Sequence, residues 1–277
     1  MRLFSRRTRR LPAETRPWGR ERLLAALAGV LVAAVMLAAG LGMAIWQAIV
    51  PRTDPGIGSV VDPRDPALTV RDRIAAAPMA SVFPEAAFSP DPVIATSDEI
   101  RVPIATIASG PANVPTGFPH TPEGAVGQLA AIEKTVLESM SLPLTGQVHT
   151  AWVQPGGPSL ADWELTRDVQ TFLASARQGG TEKDPTTLVA ATPAAAMVKG
   201  SDGPDWTLVC VLMDIRAAIR TEARMGYGLC SRMVWNPNGD RWQVAAGPVP
   251  ARAPSAWPGS RAAADAGWLT WTEEIER

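Results

Sequence analysis

The sequence predicts an α+β protein in three parts: one N-terminal transmembrane helix, a proline-rich linker, and a C-terminal domain in which helices pack on a curved antiparallel sheet. Three observations predict this organisation. Leu23 to Val50 is an apolar stretch without a charged residue. Thirteen of the 26 prolines lie between Pro51 and Pro122. Beyond residue 119, hydrophobic residues first recur with a helical period and then, from residue 187, form β-rich runs.

Residues 1–22 are predicted to form a cytoplasmic tail. They contain eight arginines and two glutamates, a net charge of +6, whereas the whole chain has a formal net charge of −1. Positive charge on one flank of a span keeps that flank in the cytoplasm. The rest of the chain is therefore acidic. Because phosphate binding needs clustered lysine and arginine, we expect no direct nucleic-acid partner.

Residues 23–50 are predicted to cross the lipid bilayer once. About 20 apolar residues suffice to cross a hydrocarbon core of ~30 Å, and this stretch is longer. A cleaved signal peptide is the alternative, but its apolar region would have about 7–15 residues and end at an A-x-A-like site. The expected location is the cell membrane, single-pass, with the N-terminus cytoplasmic and the C-terminal domain extracytoplasmic.

Residues 51–118 are predicted to be an extracytoplasmic linker. Prolines interrupt its apolar pieces, and each proline removes a backbone donor and fixes φ. We therefore expect an extended, semi-rigid spacer. Arg71 to Ala77 is long enough for one or two helical turns, and Ile104 to Ile107 is suited to dock as a short strand.

Residues 119–277 are predicted to fold as the extracytoplasmic α+β domain. The sequence Thr121-Pro122-Glu123 is typical of a helix start, with a capping threonine, a proline at the first position and an acid in the first turn. The periodic apolar residues that follow predict a helix ending before Pro143. A second helix is predicted to begin at Ser159 and to stop at Gly179-Gly180.

The second half of the domain is predicted to be an antiparallel meander. Four runs are rich in β-branched and aromatic residues: 187–198, 206–215, 224–235 and 241–245. Pro193 would confine the first run to an edge or a bulge. Asn236 to Asp240 is a turn sequence, so the last two runs are predicted to form a hairpin. Gly267 to Trp271 would close the core as a short helix or strand.

The only two cysteines, Cys210 and Cys230, lie on consecutive predicted strands and would face each other if those strands turn near Arg220. In an oxidising compartment they would form a cross-strand disulfide that closes a loop of about 20 residues. Such a bond would add ~3 kcal/mol to the free energy of unfolding. The alternative is a pair of buried thiols that act as small apolar side chains.

The sequence predicts no catalytic, cofactor-binding or metal-binding residues, and no cofactor. The two histidines, His120 and His149, are assigned to loop or capping positions, and the sequence contains no nucleophile-elbow motif. Neither cysteines nor histidines have metal-ligand spacing. The ten tryptophans are predicted to fill the core. The alternative is a ligand groove lined by four of them: Trp152, Trp206, Trp257 and Trp268.

Residues 114–126, with the sequence VPTGFPHTPEGAV, resemble a group of actinobacterial membrane proteins, as do Gly226-Tyr227-Gly228 followed by Cys230, and Trp257-Pro258-Gly259. Those proteins pair one N-terminal span with an external domain and travel with integrative or conjugative elements. In outline they resemble the bitopic scaffold subunits of type IV secretion channels. The resemblance covers residues 114–271 and implies an NTF2-like external domain, although the third helix usual in that fold is not evident in the sequence.

Two functional hypotheses follow. The first is a membrane-anchored, non-enzymatic scaffold or assembly component of a conjugation or type IV secretion-like envelope complex. Its partners would be other membrane subunits, and whether it also forms a homo-oligomer stays open. The alternative is an extracytoplasmic binding module that holds an apolar ligand or lipid in an NTF2-like cone. A hydrolase that uses His120 and His149 is the least favoured class. Fold alone does not choose among these.

Overall fold

The computed structural model describes residues 67–90, 98–219 and 221–274. The predicted cytoplasmic tail and the predicted transmembrane helix lie outside these ranges, as do residues 51–66 and 91–97 of the predicted linker. Within the three described ranges, no helix combines the length and the hydrophobicity that crossing a bilayer requires.

The described residues form an α+β fold, as predicted, with helices packed on a curled six-stranded sheet. The helices are α1 (Val70–Ala76), α2 (Pro122–Ser139), α3 (Leu142–Trp152), α4 (Glu164–Ser175) and α5 (Arg261–Asp265). The strands are β1 (Glu99–Pro103), β2 (Leu188–Ser201), β3 (Trp206–Ala218), β4 (Glu222–Asn236), β5 (Arg241–Val244) and β6 (Leu269–Glu274). The strand order is β1-β6-β2-β3-β4-β5.

Helix α2 begins and ends where the sequence predicts. The Thr121 hydroxyl accepts a hydrogen bond from the Gly124 N–H at 3.1 Å, and Pro122 occupies the first turn. The helix ends at Ser139, where Met140 takes a left-handed conformation with φ 43°. Most of its side chains are buried, and it contacts strands β1 to β5. Helix α2 is therefore the central element around which the sheet curls.

Helix α3 was not predicted: the sequence was interpreted as a loop between Pro143 and Ser159, and this interpretation is wrong. The Ser141 hydroxyl accepts from the Leu144 N–H at 3.3 Å and caps the new helix. Pro143 lies in the first turn, where a missing N–H leaves no helical hydrogen bond unmade. The proline that marked the end of α2 thus also begins α3.

Helix α4 begins at Glu164 rather than at the predicted Ser159. The Ser159 hydroxyl does accept a hydrogen bond from the Asp162 N–H at 3.2 Å, but this bond closes an isolated turn. Trp163, with extended φ and ψ, separates that turn from the helix. The Ser159 hydroxyl therefore caps this turn, and the helix starts only after Trp163.

The four predicted strands are confirmed as β2 to β5, each extended or trimmed by a few residues. Strands β4 and β5 form the predicted hairpin, with Asn236 paired to Arg241. Strand β2 lies inside the sheet, and its register with β3 shifts between Pro193 and Ala195. Pro193 therefore marks a bulge, which was one of the two predicted outcomes.

The sheet is mixed, and the prediction of a purely antiparallel sheet is wrong. Strand β1 pairs in parallel with β6, which in turn pairs antiparallel with β2 at Ala195 and Ala196. Strand β1 comes from the predicted linker, and that segment also contributes buried side chains: Ala75, Ala87, Val102 and Val114. The described part of the predicted linker therefore packs on the domain, because its short apolar pieces fill gaps that the helices and the meander leave open.

Candidate functional site

Cys210 and Cys230 form a disulfide across strands β3 and β4, where they are directly paired. Both residues are buried on the sheet face opposite to helix α2, together with Leu212, Ala256 and Trp268. The bond links two long central strands and is shielded from solvent, which is typical of a structural disulfide.

The four tryptophans of the hypothetical groove do not line one groove. Trp152 belongs to the core between the helices and the sheet, Trp206 packs on the outer sheet face near Ala75, and Trp268 lies beside the disulfide. Trp257 is partly exposed under the Arg224 guanidinium, at 4.4 Å from its ring centre. The first three are nearly fully buried, so the core-filling interpretation describes them.

The two histidines occupy separate places. His120 stacks on Trp235 with ring centres 4.3 Å apart, and its Nε2 lies 2.8 Å from the Asp205 carboxylate. His149 lies in the last turn of α3, where its Nε2 is 2.8 Å from the Pro158 carbonyl oxygen. Each ring thus has a local structural partner. In the described part of the chain, no group of three potential metal ligands comes together.

A cluster of acidic residues that the sequence did not reveal lies between helices α2 and α4 and strand β4. Glu133 of α2 is completely buried, and both its carboxylate oxygens lack a hydrogen-bond partner among the described residues. Glu164 and Asp168 project from one face of α4, four residues apart. The Tyr227 hydroxyl of β4 donates to the Asp168 carboxylate at 2.5 Å.

The surroundings of the cluster raise the pKa of all three carboxyl groups. Burial raises the pKa of Glu133 well above its usual value, and the charges of Glu164 and Asp168 act in the same direction. Burial also raises the pKa of Asp168 to about 7, assisted by Glu164 and opposed by the Tyr227 hydrogen bond. The pKa of Glu164 is raised by burial and lowered by two nearby arginines, Arg252 and Arg167.

The sequence carried a signal for this cluster. Glu133 falls in register with Leu129 and Val136, so it lies on the apolar face of α2. Glu164 and Asp168 flank Leu165 and Val169, which form the buried stripe of α4. An acid inside a helical apolar stripe is the observation that would have located the site.

A pocket of about 460 Å³ lies beside the cluster, between the chain that leads into α4 and strand β4. Its apolar lining includes Leu129 of α2, Trp163 just before α4, and Leu229 of β4. Glu164 belongs to both the pocket and the acidic cluster. Arg232 reaches the pocket with a guanidinium that donates to the Asp72 carboxylate and to the Pro248 carbonyl oxygen, each at 2.8 Å. The pocket therefore offers mainly apolar contact, and the charged residues of its lining are two acids, Asp162 and Glu164, and two arginines, Arg167 and Arg232.

Comparisons of the chain with protein families, with curated proteins and with solved structures found no match. Its functional assignment therefore rests on its own residues and their geometry.

Proposed function

We propose that the chain is a membrane-anchored, non-enzymatic assembly component of an envelope complex of the conjugation or type IV secretion type, with an NTF2-like external domain. The observation that carries the proposal is the order of elements. Three helices, α2 to α4, precede the meander β2 to β5, and the sheet curls around α2. Helix α3 supplies the third helix that the resemblance implies.

Contacts within the domain add support. The Gly226-Tyr227-Gly228 and Trp257-Pro258-Gly259 sequences, on which the resemblance rests, pack against each other: a Cβ added at Gly226 would lie 3.1 Å from the Pro258 Cδ atom. Because these two sequences contact each other in the folded domain, packing constrains them together. Finding both in one chain is therefore expected if the chain has the domain type that the resemblance implies.

The membrane location is part of the same proposal. The apolar stretch 23–50 and the arginine-rich tail support a single-pass protein with its tail in the cytoplasm. The disulfide between Cys210 and Cys230 supports an extracytoplasmic position for the domain, since disulfides persist in oxidising compartments.

Affinity purification from the native cell in a mild detergent tests the proposal. The full chain, tagged at its C-terminus, is expected to co-purify with other membrane proteins in defined ratios. The control is a tagged chain cut after residue 66, which keeps the predicted span and loses the domain; it is expected to lose those proteins. A full chain that elutes alone, as a monomer, would contradict the proposal.

A second candidate function is the binding of a small apolar molecule by the external domain. The pocket of about 460 Å³ favours it, because pockets of this size and apolar lining are typical ligand sites. Native mass spectrometry of the purified full chain is expected to show an added mass that unfolding removes. An unliganded mass in every preparation would reject this candidate.

A further inference from the structure

Strand β1 forms one edge of the six-stranded sheet. It pairs in parallel with β6 on one side, and on the other side the sheet of the described residues ends. Ile100 and Val102 are buried in the main core, whereas Glu99 and Arg101 are exposed. Because an edge strand presents backbone donors and acceptors that another strand can bond, the outer side of β1 is a candidate interaction surface.

The hydrogen bonds to β6 show which backbone groups of β1 point away from the sheet. The Asp98 carbonyl oxygen accepts from the Thr270 N–H at 2.8 Å, and the Ile100 carbonyl oxygen accepts from the Thr272 hydroxyl at 3.1 Å. In a strand, the backbone groups of successive residues alternate between the two sides. Even-numbered residues of β1 therefore direct their backbone groups to β6, and odd-numbered residues direct theirs outward.

The outward positions of β1 are Glu99, Arg101 and Pro103. Two observations agree with this assignment. Pro103 has no backbone N–H, and prolines within sheets are confined to edge strands, where the missing donor faces away from the sheet. A cavity of about 570 Å³ is bordered by all three of these residues, so the strand lies beside open space. Another strand therefore has room to approach this side.

The charges of β1 are complementary to those of a second β1. Glu99 and Arg101 have opposite charges and flank Ile100. If two copies of β1 pair antiparallel about Ile100, Glu99 of each copy lies directly opposite Arg101 of the other. Both residues direct their backbone groups outward, so each such pair exchanges both of its N–H···O bonds. The edge is therefore self-complementary in backbone and in charge, as a two-fold symmetric interface requires.

The same two charges oppose the neighbouring antiparallel registers. A shift by one residue sets outward backbone groups opposite groups that already face β6. A shift by two residues sets Glu99 opposite Glu99 or Arg101 opposite Arg101, and like charges directly opposite each other are destabilising. Charges and proline on a short edge strand also protect a sheet from unwanted pairing. In β1 this protection leaves the pairing about Ile100 open, because only there are both charged positions matched.

We propose that the outer edge of β1 binds the same edge of a second copy of the chain, with the two strands antiparallel about Ile100. The pairing joins the two sheets into one continuous sheet and forms an ion pair between Glu99 and Arg101 on each side of the symmetry axis. Since one short strand makes a small interface, the association is weak and reversible. The inference goes beyond the proposed function, because it stands on the backbone geometry and the charges of β1 whichever complex the chain joins.

Charge reversal in the full chain tests this inference. Energy transfer between donor-labelled and acceptor-labelled copies, reconstituted together in liposomes, measures self-association, and the wild type is expected to show it. Glu99→Arg should weaken self-association by about tenfold or more, because two arginines then lie opposite each other in both pairs. Arg101→Glu should do the same with two acids. The double variant Glu99→Arg, Arg101→Glu restores opposite charges and should recover the wild-type association.

Mixing the two single variants tests the register directly. Copies with Glu99→Arg should associate with copies that carry Arg101→Glu more strongly than either variant associates with itself, because every charged pair is then matched. Glu222→Arg makes the same change at an exposed position of β4 and is the matched control, which should associate as the wild type does.

Three results would overturn the inference: a wild type that does not self-associate, single variants that associate as strongly as the wild type, or a double variant that stays dissociated. A monomeric wild type that loses co-purified membrane proteins on Glu99→Arg substitution would instead assign the edge of β1 to a different protein. Recovery in the double variant also shows that the single substitutions act on the interface and not on folding.

Discussion

Two glycines of β4 show how the absence of a side chain positions a whole segment. A Cβ at Gly226 would lie 1.8 Å from the Ala256 carbonyl oxygen, and one at Gly228 would lie 2.7 Å from the Pro254 carbonyl oxygen. Both distances are shorter than any tolerated contact with backbone. Only glycine allows residues 253–258 to lie directly on the outer face of the sheet.

Gly226→Ala is expected to destabilise the domain by about 1–3 kcal/mol or more, because the contacted atom belongs to backbone and has little freedom to move. Urea unfolding followed by tryptophan fluorescence would measure the change. Gly179→Ala is the control, since a Cβ there meets nothing within 4 Å. Equal stability of the two variants would contradict the close approach seen at Gly226.

The Asp168 carboxyl makes the stability of the domain depend on pH. Its pKa is raised by burial from 3.8 to about 7 in the folded protein. The folded state therefore binds the proton more tightly than the unfolded state, so this contribution to stability is complete below about pH 4 and is lost as the pH rises through about 7.

Asp168→Asn should make the decline in stability between about pH 4 and pH 7 shallower, because an amide does not ionise. Tyr227→Phe should have the opposite effect, since it removes a hydrogen bond that lowers the pKa of Asp168. Urea midpoints measured across this pH range would report both slopes. Identical slopes in the wild type and the two variants would show that Asp168 does not titrate in this range.

At the scale of elements, the patterns that succeeded were local ones. The Thr121 cap, the Asn236 to Asp240 turn and the β-rich runs were located from adjacent residues, because capping and turn formation are decided within a few residues. Helix α3 was missed because Pro143 is compatible with either a helix end or a first turn. The burial of Val148 and Trp152 in the core decides that Pro143 lies in the first turn of a helix.

The disulfide between strands β3 and β4 belongs to this scale as well. Reduction is expected to destabilise the domain by about 3 kcal/mol, because the unfolded chain regains the freedom of a loop with a sequence separation of 20. Denaturant unfolding with and without dithiothreitol would measure the loss. A Cys210→Ala, Cys230→Ala variant should be insensitive to the reductant; a reductant effect of equal size in that variant would refute the assignment to this bond.

At the scale of the molecule, residues before α2 complete the sheet. Strand β1 covers the outer side of β6, and Val102 and Val114 are fully buried in the main core. Helix α1 is tied to the outer sheet face by the buried Arg232, whose guanidinium pairs with Asp72 at 2.8 Å. Asp72 has a lowered pKa, owing first to its hydrogen bond from Thr69 and also to Arg232.

A chain that begins at Pro119 should therefore be less stable than one that begins at Ala67, by several kcal/mol, because Val102 and Val114 would each leave fully buried positions. Thermal unfolding of the two fragments would compare them. The double substitution Ile104→Ser, Ile107→Ser, at exposed positions of the same segment, serves as the control and should have little effect. Equal stability of the two fragments would restore the interpretation of residues 67–118 as a separate spacer.

The sequence alone determined what depends on neighbours along the chain: the α+β class, the capped start of α2 and the β4–β5 turn. The tertiary structure alone decided which distant pieces share a surface. It paired β1 with β6 and enclosed Glu133 beside Glu164 and Asp168. Periodicity reports which face of an element is buried, whereas the partner that buries it comes from any part of the chain, so contacts between distant residues are settled only when the whole core packs.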